Sequence, residues 1–347
     1  MKIGNFDLKK DKTYIIAELS ANHNGSLEIA KETIKAAKEC GANAIKLQTY
    51  RADTITLQCK NEDFMIKNSK FWEGRNLYEL YEEAYTPWEW HPELFEYARS
   101  IDIDIFSSPF DKSAVDFLEK LNPSAYKIAS FEITDYELIR YCASKGKPMI
   151  ISTGIATIQE IQDAVDICKS EGNKNIVLLK CTSSYPAPLE DANLLTIPNL
   201  AQTFNVLSGF SDHTLGSTAP IVAVTLGARV IEKHFILDKS IPSADAGFSL
   251  DKKEFQEMVQ AIRDSEKLLG RVDYSIDEKK QKSRDYCRSL YVCKDIKKGE
   301  LLSEENIKSV RPGYGMHPKH LNSILGKKAK SDINFGSRLQ FSNIENI

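Results

Sequence analysis

Two histidines in the second half of the chain have the type and spacing that metal chemistry requires. His213 follows an apolar run at residues 206–210, and His234 lies within a second apolar run at 230–235. A helical pattern at 217–227 separates the two runs, so the stretch predicts a strand, a helix and a second, parallel strand. Neighbouring strands lie about 4.7–4.9 Å apart, which brings both imidazoles within reach of one divalent ion. The pattern therefore predicts a metal site, with two unrelated loop histidines as the alternative.

Two lysines interrupt strand patterns that are otherwise apolar, Lys46 within residues 44–49 and Lys127 within residues 125–132. An unpaired ammonium group in such a position is costly, so each lysine predicts an anionic partner. Lysines with small hydroxyl residues around them suit a phosphate or a phosphorylated carboxylate. For any single serine, a strand end that simply faces solvent is the alternative. The hydroxyl residues at predicted strand ends are Ser107, Ser108, Ser130, Ser152, Thr153, Thr182, Ser183 and Ser211.

Glu18 and Glu132 lie in the predicted strands at residues 14–19 and 125–132. Carboxyl groups in these places can act as acid and base, or they can bind sugar hydroxyls. Two neutral imidazoles would hold a metal that polarises a carbonyl as a Lewis acid. Together with the lysines, these groups predict carbon–carbon bond formation between a phosphate-bearing enol and an aldehyde.

The elements that must position these residues form a repeating strand and helix pattern. The predicted strands are 14–19, 44–49, 104–108, 125–132, 148–154, 176–186, 206–210 and 230–235. The predicted helices are 27–40, 88–101, 112–121, 138–145, 159–170, 193–204, 217–227 and 251–269. About eight such units are typical of a TIM (β/α)8 barrel, whose active site lies at the C-terminal ends of the strands. A doubly wound open sheet is less favoured, because no GxGxxG turn follows the first strand. The insertion at 50–87 is typical of a lid or a binding loop.

Composition narrows the class of protein. The 347 residues are 42% hydrophobic and 27% charged, with a net charge of −3 and a pI near 6.1. These values give no reason to expect nucleic acid or an acidic membrane as a partner. No apolar run approaches the roughly 20 residues of a membrane span, and the N-terminus lacks the apolar segment of a signal peptide, which predicts a cytoplasmic protein. The seven cysteines form no CxxC pair and are expected to be reduced.

The C-terminal part predicts a second, small domain. Residues 1–270 would form the barrel, the charged stretch 271–286 a linker, and 287–347 a compact segment. That segment contains two Asp-Ile-x-x-Gly turns among short strand-like runs, and at about 60 residues it is expected to dock on another surface. Arg311 is a candidate for reaching an active site, with a solvated arginine as the alternative.

With these residues in place, the chain closely resembles the sialic acid synthase family, the phosphoenolpyruvate-dependent nonulosonate synthases. The resemblance covers nearly the whole length, from IIAELSANHNGS through KLQTY, SSPF, AYKIAS, STG, KCTSSYP, SDHT and EKHF to the C-terminal segment. It implies a TIM barrel followed by a SAF, or antifreeze-like, domain. It also implies a homodimer in which the C-terminal domain is swapped, so that Arg311 of one subunit contacts the sugar in the site of the other.

The resemblance also implies roles for individual residues. His213 and His234 match the ligands of a divalent metal, with Mn²⁺ or Mg²⁺ expected and Co²⁺ as a further candidate. Ser108 and Ser183 replace the threonine and asparagine that sialic acid synthases have at those places. The residues that match phosphoenolpyruvate contacts are Lys46, Ser108, Lys127, Ser130, Ser152, Ser183 and Ser211. The residues that match catalytic or sugar-side positions are Glu18, Glu132, Tyr185, Asp245 and Arg311.

The substrate can be narrowed only by resemblance. The sequence AELSANH and the segment FWEGRNLYELYE resemble the branch that makes pseudaminic acid, which uses 2,4-diacetamido-2,4,6-trideoxy-β-L-altropyranose. N-acetylmannosamine and the legionaminic acid precursor are the alternative sugars, and N-acetylneuraminate or legionaminic acid would then be the product. A metal-dependent aldolase on the same barrel is a different enzyme class, and it would release no phosphate. A sugar-binding or ice-binding protein built on the C-terminal domain is a non-catalytic alternative.

Overall fold

The computed structural model describes residues 1–67 and 73–345. The chain divides into two units, Met1–Gly270 and Arg271–Ile347. Residues 68–72, which include the start of the FWEGRNLYELYE segment, lie outside the described part of the chain. Within the described residues, no helix is long and apolar enough to cross a membrane.

Eight parallel strands close into a barrel in the first unit, and a short hairpin precedes them. The hairpin is β1 (Lys2–Ile3) and β2 (Phe6–Asp7), and the barrel strands are β3 (Tyr14–Glu18), β4 (Ala44–Thr49), β5 (Asp104–Pro109), β6 (Tyr126–Ile128), β7 (Met149–Ser152), β8 (Ile176–Cys181), β9 (Leu207–Asp212) and β10 (Val230–His234). Each barrel strand pairs with the next along the chain, and β10 pairs with β3 to close the ring. The predicted TIM barrel is confirmed.

The helices largely follow the predicted pattern. In the first unit they are α1 (Leu27–Glu39), α2 (Ala52–Ile55), α3 (Leu77–Ala84), α4 (His91–Ser100), α5 (Lys112–Leu121), α6 (Tyr136–Ser144), α7 (Ile158–Ser170), α8 (Thr196–Phe204), α9 (Thr218–Thr225) and α10 (Lys252–Leu269). Side-chain caps set several starts: the hydroxyl of Ser26 accepts from Ile29 N at the start of α1, and Asp251 accepts from Glu254 N at α10. Helices α2 and α3 lie in the insertion at 50–87, where no helix was predicted.

Two predicted strands are too long. The strand predicted at 125–132 ends at Ile128, and Ser130–Glu132 forms a 3₁₀ turn. The strand predicted at 176–186 ends at Cys181. The last pairs with the following strand are Ile128 with Ile151 and Cys181 with Ser211, and the residues beyond them are in turns or loops. The polar residues that follow these strands therefore lie in turns over the barrel mouth.

Two apolar layers hold the barrel together, because alternate residues of each strand face opposite sides. The outward-facing side chains pack against the helices, as Ile15 and Ala17 of β3 do. The inward-facing set fills the lower interior and comprises Ile3, Leu8, Tyr14, Ile16, Ala44, Phe106, Ala125, Ile150, Val177, Leu179 and Val230. The β1–β2 hairpin supplies Ile3 of this set and thereby covers the N-terminal end of the barrel.

The second unit is built around an antiparallel pair, β11 (Ser289–Val292) and β12 (Ile307–Val310). A separate apolar cluster includes Leu290, Val292 and Ile307. The two Asp-Ile-x-x-Gly turns face each other, since Asp332 accepts from Lys298 N at 2.8 Å and Asp295 accepts from Phe335 N at 2.6 Å. The unit also contains the helices α11 (Glu278–Arg284) and α12 (Leu321–Ile324). Helix α11 lies in the stretch predicted as a linker, and it is exposed. This unit contains residues 287–347, the segment predicted to form the SAF domain.

Candidate active site

The barrel interior changes from apolar to polar toward the C-terminal ends of the strands. The register places His234 beside Glu18 and Glu18 beside Lys46 on three neighbouring strands. Glu18 and Lys46 are two positions beyond the apolar interior residues Ile16 and Ala44, and His234 is four positions beyond Val230, so all three face the interior. The buried polar side chains at this end are Glu18, Lys46, Ser108, Lys127, Ser152, Ser211, Glu232 and His234. Most of the residues selected from the sequence therefore share one mouth.

Glu232 lies between the two lysines of the mouth. Its Oε1 is 3.4 Å from Lys46 Nζ and 3.8 Å from Lys127 Nζ. The hydroxyl of Ser211 donates to the same oxygen at 3.0 Å. Lys46 Nζ also lies 2.9 Å from Glu18 Oε2. The lysines thus have carboxylate partners within the protein itself.

The serines approach the same lysines. Lys127 Nζ donates to Ser152 Oγ at 2.7 Å, and Lys46 Nζ donates to Ser108 Oγ at 3.4 Å. Two ammonium groups with adjacent hydroxyl groups form a compact set of donors. Such a set can bind a group that carries several anionic oxygens.

Burial and neighbouring charges shift the pKa values of Glu18 and Glu232 in opposite directions. Burial raises the pKa of Glu18 even against the attraction of Lys46. Burial also opposes ionisation of Glu232, but Lys127 and Lys46 outweigh it and lower the pKa of that carboxyl. Burial lowers the pKa of Lys127 despite the charge of Glu232. Glu232 is therefore the residue held ionised between the lysines, whereas Glu18 holds a proton more readily.

The turn after β6 carries Glu132 toward the same mouth. Its Oε2 is buried without a hydrogen-bond partner, and burial raises the pKa of this carboxyl to about 7. Ser130, in the same turn, accepts from Gly154 N at 3.2 Å. A Cβ on Gly154 would lie 2.5 Å from the hydroxyl of Ser183, so this position requires glycine. Ser183 Oγ is itself buried without a partner.

The two histidines stand side by side. The ring centroids of His213 and His234 are 5.3 Å apart with an angle of 52° between the ring planes. The ring of Tyr185 lies 4.5 Å from that of His213, and the ring of Phe248 lies 4.9 Å from that of His234. Asp245 Oδ2 is 3.6 Å from His234 Nδ1, which is beyond hydrogen-bond distance. The expectation that the two imidazoles lie at neighbouring strand ends is met by this geometry.

The donor chemistry of this pair fits a divalent metal. His213 Nδ1 lies 3.0 Å from the carbonyl oxygen of Thr182, so Nδ1 carries the proton and Nε2 presents its lone pair. Burial holds the pKa of His234 well below its usual range, and its Nδ1 is buried without a hydrogen-bond partner. Among the described residues, no group of three His, Cys, Asp or Glu side chains is arranged to hold a metal. A metal held here would therefore take its remaining ligands from substrate or water.

Part of the insertion borders this mouth. Tyr81 of α3 packs edge-on against Tyr50 with ring centroids 5.6 Å apart. Burial and the charge of Glu132 raise the pKa of Tyr81, so the helix lies on the Glu132 side of the mouth. Closure of this segment as a lid stays a prediction.

Three hydroxyl residues predicted at strand ends do not face the mouth. Ser107 Oγ lies 2.6 Å from Thr49 Oγ1, which in turn lies 2.8 Å from His91 Nε2 of α4. Ser107 therefore faces the helices, because its neighbour Ser108 takes the interior position. The other two are Thr153 and Thr182, whose hydroxyls donate to the carbonyl oxygens of Leu179 and Asp191 at 3.1 Å each.

Comparison with known proteins identifies the family to which this arrangement belongs. A NeuB family profile matches residues 33–274, and a SAF domain profile matches residues 288–345. The chain belongs to the NeuB family. A pseudaminic acid synthase of Campylobacter jejuni is 56% identical over 340 residues, which cover 98% of each chain. A pseudaminic acid synthase of Helicobacter pylori is 51% identical and covers 95% of this chain and 97% of its own.

A solved structure shows the same fold. It is an N-acetylneuraminic acid (sialic acid) synthetase from Leptospira borgpetersenii in complex with citrate, with a TM-score of 0.72 and 30% identity. The match covers 82% of this chain and 94% of that one. The resemblance stated from sequence motifs, the TIM barrel and the SAF domain are therefore confirmed. The prediction of an enzyme is confirmed as membership of a family of synthases.

The structure of this NeuB-family chain adds residues that the sequence argument did not select. Glu232 precedes His234 by two positions, so strand periodicity alone would place it on the same face. Gln48, which strand alternation already predicts on the same side as Lys46, donates to Glu18 Oε1 at 2.9 Å. Phe248 lies in a loop with no periodic pattern, and nothing in the sequence marks it as a wall of the site.

Arg311 belongs to the second unit, where it directly follows β12. The first unit by itself therefore lacks this predicted sugar contact. The role of Arg311 stays a prediction, as do the assignments of the other site residues.

Proposed function

We propose that this chain is a pseudaminic acid synthase. It condenses phosphoenolpyruvate with 2,4-diacetamido-2,4,6-trideoxy-β-L-altropyranose and water to give pseudaminic acid and phosphate. The observation that carries the reaction type is the pair of buried lysines that flank Glu232 beside two imidazoles whose centroids are 5.3 Å apart. The choice of sugar is supported by the 56% and 51% identity to pseudaminic acid synthases over nearly the whole chain.

The lysine side of the mouth binds phosphoenolpyruvate. Lys46 and Lys127 supply charge, and Ser108 and Ser152, which already accept hydrogen bonds from these lysines, help to fix their positions. Because the ammonium groups are buried, their attraction for an anion is screened less than it would be at the surface. When the phosphate leaves, the same groups stabilise its developing charge.

The reaction forms one carbon–carbon bond and breaks one carbon–oxygen bond. C3 of phosphoenolpyruvate attacks the aldehyde carbon of the open-chain sugar, and the aldehyde oxygen takes up a proton. Water then adds to the electron-poor C2, and the C2–O bond to phosphate breaks. Glu132 is the base that accepts the proton from this water, because its Oε2 is buried without a hydrogen-bond partner and burial raises the pKa of the carboxyl to about 7.

His213 and His234 would hold a divalent metal, Mn²⁺ or Mg²⁺ by family resemblance. When bound, the metal supplies Lewis-acid polarisation of the aldehyde oxygen. Asp245 Oδ2 lies 3.6 Å from His234 Nδ1, and the ring of Tyr185 lies 4.5 Å from that of His213 at an angle of 52°. These two side chains orient the sugar relative to the imidazoles.

The deciding experiment measures phosphate release from phosphoenolpyruvate with each of three sugars. The proposed diacetamido sugar is expected to give the highest kcat/KM, and N-acetylmannosamine and the legionaminic acid precursor lower values. Preference for either of the other sugars would reassign the substrate within the family. Condensation without phosphate release would favour the aldolase alternative.

We also propose that the active form is a homodimer in which Arg311 of one subunit contacts the sugar in the site of the other. Several large apolar side chains of the stretch between the two domains are exposed, which favours a partner surface there. They are Val272, Tyr274, Ile276 and Tyr286, with exposed fractions of 87%, 93%, 53% and 74%.

Mixing two inactive variants tests the exchange of Arg311. The variants are Arg311→Ala and His213→Ala, unfolded and refolded together so that mixed dimers form. In a swapped mixed dimer, one site combines an intact barrel with an intact Arg311, so activity is expected to return. If Arg311 served its own subunit, the mixture would stay as inactive as its parts.

A further inference from the structure

A second pair of charged residues lies on the opposite face of the same barrel wall. Lys233 of β10 and Asp212 of β9 are register partners on neighbouring strands. Lys233 Nζ lies 2.6 Å from Asp212 Oδ2, and both side chains are completely buried. Because strand residues alternate, these two side chains face the helices, whereas Ser211 and Glu232 face the interior.

Each member of this ion pair is the residue directly before one of the two histidines. Asp212 immediately precedes His213, and Lys233 immediately precedes His234. Asp212 Oδ1 also accepts from Thr214 N at 2.8 Å, and Lys233 Nζ also donates to the carbonyl oxygen of Thr214. The ion pair therefore fixes the backbone on both sides of His213 and ties it to the strand that carries His234.

Stability alone does not account for such a pair. Removing two charges from water is expensive, and apolar residues of similar volume are often as stable as a buried ion pair. Charged hydrogen bonds are directional, however, and here they fix the end of β9 relative to β10 at the level of the imidazoles. The separation of the two rings depends on this relative position.

We propose that Lys233 and Asp212 are positioning residues that hold His213 and His234 at the spacing needed to share a divalent metal. The inference rests on the proposed metal site. It adds that an ion pair on the helix-facing side of β9 and β10 holds the two histidines in position. It predicts that loss of the ion pair weakens metal binding in a folded protein. Removal of an outer support of a metal site typically weakens binding by about 10–100-fold.

The test is Mn²⁺ binding to the full-length protein, measured by electron paramagnetic resonance of the free ion. The variant combines Asp212→Leu with Lys233→Met, which removes both charges and leaves no unpaired one. The expected result is at least an about tenfold higher Kd for Mn²⁺. The matched control combines Arg263→Met with Glu266→Leu at the N-terminal end of the barrel, where the pair is 3.1 Å apart, and its Kd is expected to equal that of the wild type.

The outcomes separate this inference from the metal site itself. If the wild type binds Mn²⁺, His213→Ala does not, and the double variant binds as tightly as the wild type, the positioning role is wrong and the metal site stands. If the wild type binds no Mn²⁺, the metal site and the inference both fall. Thermal unfolding shows whether each variant is folded. Should that double variant not fold, Asp212→Asn combined with Lys233→Met removes the same two charges and keeps an acceptor for Thr214 N. An unchanged Kd in this second variant would equally overturn the inference.

Discussion

The two ends of the barrel differ in how fully their buried polar groups are hydrogen-bonded. At the N-terminal end, polar groups are paired with one another. The hydroxyl of Tyr14 donates to Asp104 Oδ2 at 2.7 Å, and Glu266 Oε1 accepts from Thr13 N at 2.6 Å. Arg229 Nε donates to the carbonyl oxygen of Leu8 at 2.6 Å. This end needs nothing from outside to satisfy its polar groups.

At the C-terminal end, paired polar groups are accompanied by several buried polar atoms that have no hydrogen-bond partner. Among the described residues, every buried side-chain nitrogen or oxygen that lacks a hydrogen bond belongs to a strand end or a loop on this side. The residues are Glu18, His23, Thr86, Glu132, Ser183, Thr214, Glu232 and His234. In Glu18 the atom is Oε2, which has Lys46 Nζ at 2.9 Å as an ion-pair partner. Such groups cost free energy when they stay unpaired, so their concentration at one end indicates where a ligand supplies the missing partners. The site can therefore be located from buried polar atoms that lack hydrogen bonds, before any residue is assigned a role.

Substitution of His213, at the C-terminal end, should give the largest loss of activity relative to the loss of stability. In His213→Ala, metal-dependent turnover is expected to fall by at least about 100-fold, since the proposed metal loses one of two protein ligands. The free energy of unfolding should fall by only about 1–3 kcal/mol, the cost of leaving the carbonyl oxygen of Thr182 without its donor. Phosphate release and thermal unfolding measure the two effects. Wild-type turnover in this variant would contradict the proposal that His213 binds the metal at the C-terminal end of the barrel.

Glu132 gives the next largest effect, and it depends on pH. Glu132→Gln should lower kcat by about 100-fold, the usual contribution of a general base. With the pKa of Glu132 raised to about 7 by burial, kcat/KM of the wild type should rise as pH increases through about 7, because the base must be ionised. That limb should be absent in the variant. An unchanged profile would mean that another group accepts the proton.

The same carboxyl has the opposite effect on stability. The folded protein holds the proton of Glu132 more tightly than the unfolded chain does, because burial raises the pKa to about 7. Its contribution to stability is therefore present below the unfolded pKa and is lost as pH rises through about 7. Activity and stability should consequently move in opposite directions over this range.

Tyr14→Phe tests the N-terminal end. The variant removes the hydroxyl that donates to Asp104, and a lost buried hydrogen bond of this kind costs about 1–3 kcal/mol of unfolding free energy. The kcat of the folded fraction should be unchanged, because the substitution lies at the far end of the barrel. Chemical denaturation and steady-state kinetics on the same sample measure both. A loss of kcat without a loss of stability would show that the two ends are coupled.

The sequence predicted the barrel well because its strands and helices carry strong, local periodic patterns. Ser26 and Gly41 bound α1 by capping chemistry that needs no tertiary contact, so that element was predicted correctly. The strands at 125–132 and 176–186 were predicted too long because short runs of small and polar residues after Ile128 and Cys181 carry no local signal that ends a strand. Where a ladder stops depends on the neighbouring strand, which a local pattern does not contain.

The site was predicted only in part, because some of its residues stand out locally and others are defined by contacts between strands. Lys46, Lys127 and the two histidines stand out because charge in an apolar strand is rare and informative. Glu232 escaped selection because its role appears only when Lys46 and Lys127 converge on it from different strands. Ser107 was misplaced because one residue along a strand reverses the face, and only the register fixes which of two adjacent serines points inward.

Ser183 offers the smallest test of the comparison between the two ends. Its hydroxyl is buried without a partner, so Ser183→Ala removes an unpaired group, and the free energy of unfolding should stay the same or rise slightly. If the hydroxyl binds phosphoenolpyruvate, the KM for that substrate should rise by about fivefold, the equivalent of one neutral hydrogen bond. Ser144→Ala is the matched control, because the hydroxyl of Ser144 is exposed and donates to the carbonyl oxygen of Tyr141 within α6. An unchanged KM together with lower stability would mean that Ser183 serves the fold, as the paired groups at the N-terminal end do.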